Sequence, residues 1–158
     1  MTYYISINTN DSLELKYELY DFIENQLKKY NIFPYYHLVV DKTFVNLCTM
    51  DDSRIIARVE GDDYEGLPHQ EESIRLDIVE VIKEQDRKQY YATLTLEIYL
   101  FYRYLQGCSR IYLEPRPLDT KTTVEFLVKW YEKKGFEIDP NYHSRMIINL
   151  KEKYKNYR

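Results

Sequence analysis

Residues 74–115 read IRLDIVEVIKEQDRKQYYATLTLEIYLFYRYLQGCSRIYLEP, and their reading decides the fold. Ile74 to Val81 alternates as a strand, Ile82 to Gln89 is a polar turn, Tyr91 to Gln106 is a long apolar helix, and Arg110 to Glu114 is a second strand. Two parallel strands need a crossover of this length. In such a unit a ligand sits outside the carboxyl end of the first strand, where the helix begins. The unpaired N–H groups there suit a phosphate. Leu94, Ile98, Phe101 and Leu105 form one face of the helix. Leu96, Tyr99, Leu100, Tyr102 and Tyr104 surround the rest. A helix apolar nearly all round is covered on more than one side, by a second layer of this chain or by a dimer partner. Gly107 is placed to end it in the left-handed conformation.

On the N-terminal side, Tyr3 to Ile7 is a strand. Asp11 is placed to cap a helix reciprocally with Glu14. Leu13, Tyr17, Tyr20, Ile23 and Leu27 carry that helix to about Tyr30. Tyr36 to Val40, Phe44 to Met50 and Arg54 to Val59 are strands, the last two joined as a hairpin through Asp51-Asp52-Ser53. Glu60 to Glu72 holds six acids and no Lys or Arg. It is either a solvated loop or an electrostatic lure for a cationic partner. On the C-terminal side a helix spans about Thr122 to Lys134, closed by Gly135, and Phe136 to Ile138 and Arg145 to Leu150 are the last strands. Residues 1–150 are expected to form one domain and 151–158 a frayed polar tail.

Hydrophobic residues at 44% and charged residues at 30% place the chain among soluble globular proteins. No apolar run suggests a membrane span, and the first residues lack a signal peptide's pattern. Cys48 and Cys108 make neither a disulfide framework nor a metal spacing, so a reducing, cytoplasmic setting is expected. A net charge of −4 argues against nucleic acid held by bulk charge. Eighteen tyrosines are spread along the chain. They serve as core residues or as an interaction surface.

The segment Trp130-Tyr131-Glu132-Lys133-Lys134-Gly135-Phe136-Glu137, followed by Met146-Ile147-Ile148-Asn149-Leu150, resembles the C-terminal half of the GNAT superfamily of N-acetyltransferases. With the preceding strand-helix-strand unit, the resemblance covers about residues 74–150. It implies an α+β fold, layered α/β/α. The mixed, mostly antiparallel sheet would have about seven strands, one parallel pair splayed apart, and flanking helices. It implies acetyl-CoA as co-substrate and a primary amine as acceptor, on a cationic small molecule or a protein lysine. Cofactor contacts would fall on Val79, Val81 and Ile82 of the long strand and on Arg87, Lys88, Gln89, Tyr90, Tyr91 and Ala92 of the loop after it. Arg87 and Ala92 match the ends of the family's loop pattern. Tyr90 stands where a glycine belongs, adding bulk where the backbone should approach phosphate.

Tyr131 matches the family's general acid and Glu80 is the preferred base; each is otherwise an ordinary core tyrosine or strand carboxylate. Asp77, three residues from Glu80, is expected on the opposite face. His37, His69 and His143 lack metal spacing, His143 being a minor candidate proton acceptor. No serine or cysteine occupies a recognisable nucleophile setting. The rival readings are a lapsed GNAT-fold interaction module, a homodimer among its forms, and a transferase for longer acyl groups or aminoacyl-tRNA. No basic groove supports the tRNA version.

Overall fold

The computed structural model describes residues 4–32, 35–63, 73–81, 90–117 and 120–157. In chain order it contains β1 (Tyr4–Asn8), α1 (Leu13–Lys29), β2 (Tyr36–Asp41), β3 (Phe44–Thr49), β4 (Ile55–Gly61), β5 (Ser73–Val81), α2 (Tyr91–Leu105), β6 (Arg110–Leu113), α3 (Val124–Lys133), β7 (Glu137–Ile138), β8 (Met146–Asn149) and α4 (Leu150–Lys153). The strands form one sheet in the order β1-β2-β3-β4-β5-β6-β8-β7. The mixed, mostly antiparallel architecture with flanking helices is as expected. The short β7, paired to β8, makes eight strands rather than about seven. There are two parallel pairs, β1/β2 and β5/β6, because α1 is itself a crossover helix.

Helix α2 organises the core. Phe101 stacks on Phe22 of α1 at 3.9 Å, and Leu94, Leu96, Ile98 and Leu100 are fully buried. Its all-round apolar surface is covered by the sheet, α1 and the C-terminal residues of this same chain, so α2 needs no dimer partner. Arg103 of α2 is also fully buried. It donates from Nη1 to Gln106 Oε1 at 2.8 Å and from Nη2 to the Asp62 carbonyl at 2.9 Å. Gly61 admits this helix closely: a Cβ there would lie 2.1 Å from the Tyr99 hydroxyl and 2.8 Å from the Arg75 carbonyl. Gly107 and Gly135 end α2 and α3 with φ of 91° and 105°, as read from the sequence.

Three local readings change. Ser12, not Asp11, caps α1, its Oγ accepting from the Leu15 N–H at 3.2 Å. Asp11 instead accepts from the buried Tyr102 hydroxyl at 2.6 Å, and Glu14 no longer stands three residues after the cap. The first acids of the 60–72 segment are used internally: Asp62 faces Arg75 at 3.5 Å and Asp63 faces Lys42 at 3.0 Å. Glu65, Glu71 and Glu72 lie outside the described residues. Residues 151–157 are not frayed. Asn149 caps α4 and the ring of Tyr154 packs on Phe101 at 5.4 Å, because two aromatic rings in a polar stretch supply the apolar area to dock it.

Candidate active site

The two edges of β5 are treated differently. On one side Leu76 to Val81 pair with Gly61 to Ala57 of β4. On the other, β5 meets β6 only through Ser73, Ile74 and Arg75, opposite Arg110, Ile111 and Tyr112. From Leu76 onward that edge has no strand partner among the described residues. A cavity of about 410 Å³ fills the gap. Its walls are the second half of β5, Leu113 at the end of β6 and Glu114 after it, Ala92 at the start of α2, and Trp130 and Tyr131 of α3.

A β-bulge accompanies the divergence. Glu60 faces Ile78 while Gly61 faces Leu76, so Asp77 is an extra residue without an opposite number. The bulge switches which residues point inward. Ile74 and Leu76 are buried before it; after it, Val79 and Val81 lie opposite the buried Val59 and Ala57. Asp77 and Glu80 therefore share the outward face, contrary to simple strand alternation. Asp77 Oδ1 accepts from Arg75 Nε at 2.7 Å. Glu80 Oε1 is ion-paired with Arg58 of β4, its cross-strand neighbour. Asp77, Val79, Glu80 and Val81 all line the cavity.

At the far end of the gap, Tyr90 is the N-cap of α2 with φ 63° and ψ 14°, and it supplies no side-chain cap bond. This left-handed backbone is what glycine usually provides. The ring does not plug the cleft: it turns outward, is exposed, and stacks on Tyr30 at 5.6 Å. Tyr91 is buried with its hydroxyl 3.2 Å from that of Tyr36, which leaves its main chain to the helix tip. Ala92 is on the cavity wall. Ile82, Arg87, Lys88 and Gln89 lie outside the described residues.

Tyr131 is held on α3, whose first turn is capped by Thr123 Oγ1 accepting from the Phe126 N–H at 3.1 Å. Its ring packs edge-on to Trp130 at 5.1 Å and Phe136 at 5.5 Å. Burial pushes its pKa up to about 12, so the hydroxyl keeps its proton at neutral pH. No hydrogen bond engages that hydroxyl among the described residues.

No protein-family model and no curated protein sequence matches the chain. Solved structures do. An acetyltransferase of the GNAT family from Staphylococcus aureus Mu50 aligns over 89% of this chain and 96% of its own, with TM-score 0.51 and 15% identity. The PaiA N-acetyltransferase from Thermoplasma acidophilum, solved in complex with coenzyme A, aligns over 89% and 80%, with TM-score 0.50 and 15% identity. The chain has the GNAT fold. A nourseothricin acetyltransferase shares it at TM-score 0.50 and 11% identity, over 68% of this chain and 64% of that one. At such identities the likeness is one of fold.

The GNAT fold accounts for the parallel β5/β6 pair and the helix that joins it. Among the described residues there is no cluster of His, Cys, Asp and Glu able to hold a metal, and no helix is long and apolar enough to cross a membrane. His143 is exposed in the turn before β8 and His69 lies outside the described residues. Cys108 is a small buried residue, its Sγ donating to the Arg110 carbonyl at 3.2 Å. Sequence reasoning missed Arg58, which meets Glu80 only through the β4/β5 register. It also missed the cavity role of Leu113 and Glu114, which no local pattern signals.

Proposed function

We propose that this chain is an acetyl-CoA-dependent N-acetyltransferase acting on a primary amine of a small molecule or protein. One observation carries the reading: two parallel strands separate after three paired residues and leave a cavity that ends at a helix tip. An interior strand with one bare edge offers main-chain N–H and C=O groups to a ligand that carries amides of its own. The pantetheine arm is such a ligand, and acetyl-CoA supplies an activated thioester. The shape also fits: about 410 Å³ lies within the range of small-ligand sites, roughly 300–1,000 Å³.

The residues then take these roles. The β5 edge from Val79 to Val81, with Ile82 after it in the chain, binds the arm through its backbone. The amides of Tyr90, Tyr91 and Ala92 at the start of α2, with Arg87, Lys88 and Gln89, receive the diphosphate. Glu80 has Oε1 held by Arg58, so Oε2 is the oxygen left to take the proton of an incoming ammonium, directly or through water. Tyr131 donates a hydrogen bond to the leaving sulfur. With its pKa near 12 against about 8.5 for an ordinary thiol, it stabilises developing charge more readily than it surrenders its proton outright. The reading assigns the protein to the compartment that holds acetyl-CoA, the cytoplasm, and residues 1–150 to one domain.

Isothermal titration with acetyl-CoA tests this. Saturable binding in the micromolar range, followed by thiol release when amines are added, supports it. No heat of binding at millimolar acetyl-CoA removes it.

A further inference from the structure

Three residues far apart in the chain meet at the opposite end of the sheet from the open seam. Ser6 of β1 places Oγ 2.7 Å from His37 Nε2, and His37 Nδ1 lies 2.7 Å from Asp52 Oδ1. Three strands separate β1 from β5, so this group is on the order of 19 Å from the seam at the usual strand spacing.

An ionised carboxylate only accepts, so Nδ1 carries the hydrogen and donates it to Asp52. With Nε2 unprotonated, its lone pair accepts from the Ser6 hydroxyl. This is the atom-by-atom arrangement that activates a serine for attack on an acyl carbon.

The surroundings hold it in place. His37 is 6% exposed, with the Tyr4 ring over it at 4.2 Å. Asp52 sits in the β3/β4 turn at φ 59°, a left-handed position that Asn and Asp adopt more readily than other residues with a Cβ. The turn closes without the Asp52 side chain. Thr49 Oγ1 and Ser53 Oγ each donate to Asp51 Oδ1 at 2.7 Å, and the Asp52 N–H donates to the Thr49 carbonyl at 2.9 Å. Its carboxylate is thereby left for His37. Ser6 is half-buried, not sealed, and β1 is the edge of the sheet, so alternate main-chain N–H groups face outward beside it.

We propose that Ser6, His37 and Asp52 form a second catalytic site, with Ser6 as the nucleophile for small activated esters. The exposed Tyr4 ring beside it favours a flat aryl leaving group. Ser6 Oγ bonds to the carbonyl carbon as its proton passes to His37 Nε2. The ester C–O bond breaks and the alcohol departs with that proton. Water then hydrolyses the seryl ester by the same route, which releases the acid and restores the Ser6 hydroxyl. An outward N–H of the edge strand steadies the oxyanion. Asp52 is a positioning residue that keeps the ring in the reactive tautomer. None of this depends on the transferase reading.

The test uses the full chain, a fluorophosphonate probe and p-nitrophenyl acetate. One phosphonyl adduct on the peptide containing Ser6 is expected, with p-nitrophenol release that falls by about 100-fold or more in Ser6→Ala and His37→Ala. Added imidazole should restore part of the His37→Ala rate. Asp52→Asn should slow adduct formation while the adduct stays on Ser6. Ser6→Ala removes one hydroxyl, and a thermal melt confirms that it folds. Adduct elsewhere or nowhere, or a Ser6→Ala protein as active as the parent, overturns the proposal.

Discussion

Strand β5 is closed along one edge and open along the other. Its β4 side is hydrogen-bonded through the bulge to Val81, and Gly61 and Tyr99 pack there without space to spare. Its β6 side is bonded for three residues and has no strand partner beyond them among the described residues. Main-chain groups left unpaired inside a protein cost about 1–3 kcal/mol each unless something answers them. A sheet that could have zipped and did not is the physical ground for proposing that a ligand completes the structure there. The bulge at Asp77 belongs to both edges: it bends β5 away from β6 and rotates Glu80 to the face where Asp77 already lies.

The open edge should show the largest effect. Tyr131→Phe removes the hydroxyl of a cavity-lining residue of α3 that has no hydrogen-bond partner among the described residues. Turnover of acetyl-CoA with an amine should fall by about 100-fold, with the acetyl-CoA dissociation constant nearly unchanged. Steady-state kinetics beside calorimetry would check this, and an equal fall in affinity would make Tyr131 a binding residue instead. The closed edge should respond in stability. Gly61→Ala drives a methyl into Tyr99 and the Arg75 carbonyl, and urea unfolding should show a loss of about 2 kcal/mol. A neutral result would mean that the closed edge is looser than its distances state.

Alkaline pH sharpens the same contrast. Burial raises Tyr131 to about 12 and also raises Tyr99 on the closed side. Groups whose folded pKa lies above the unfolded value contribute stability below about pH 10, and that contribution fades as pH rises towards 12. Melting temperature should therefore drop between pH 10 and 12, by about 2 kcal/mol of stability from Tyr131. Tyr131→Phe should remove that share, leaving the shares of Tyr99, Tyr102 and Tyr154, which burial also raises. A Tyr131→Phe protein with the parent's full alkaline loss would show that the hydroxyl is solvated.

Periodicity and punctuation carried most of the architecture into view. The apolar spacing of Leu94, Ile98 and Phe101 placed α2, and Gly107 and Gly135 closed the helices where expected. What stayed hidden belongs to pairing between distant segments. Asp77 is a bulge only in relation to Gly61, and Arg58 finds Glu80 through a cross-strand register. Ser6, His37 and Asp52 are brought together by a parallel β1/β2 pair and a hairpin turn, and nothing within any one segment announces them. The cap of α1 was misplaced by one residue because Asp11 and Ser12 are both competent caps, and only the buried Tyr102 decides which is free to act.

The smallest effect is expected at Tyr90, where the open edge hands over to α2. Its left-handed backbone disfavours any residue with a Cβ, and a β-branched residue most. Tyr90→Gly relieves that strain but gives up the stack on Tyr30, two terms of about 1 kcal/mol each and opposite sign, so stability should hardly move. Tyr90→Ile gives up the stack and keeps the strain, and should be less stable than Tyr90→Gly by about 1–2 kcal/mol in urea. Acetyl-CoA affinity gives the second reading. Because the ring points away from the cleft, Tyr90→Gly should bind as the parent does, and Tyr90→Ile more weakly, through a displaced helix tip. Equal stability and equal affinity in the two variants would mean that the backbone at residue 90 is not held left-handed, and the geometry of the α2 entrance would have to be redrawn.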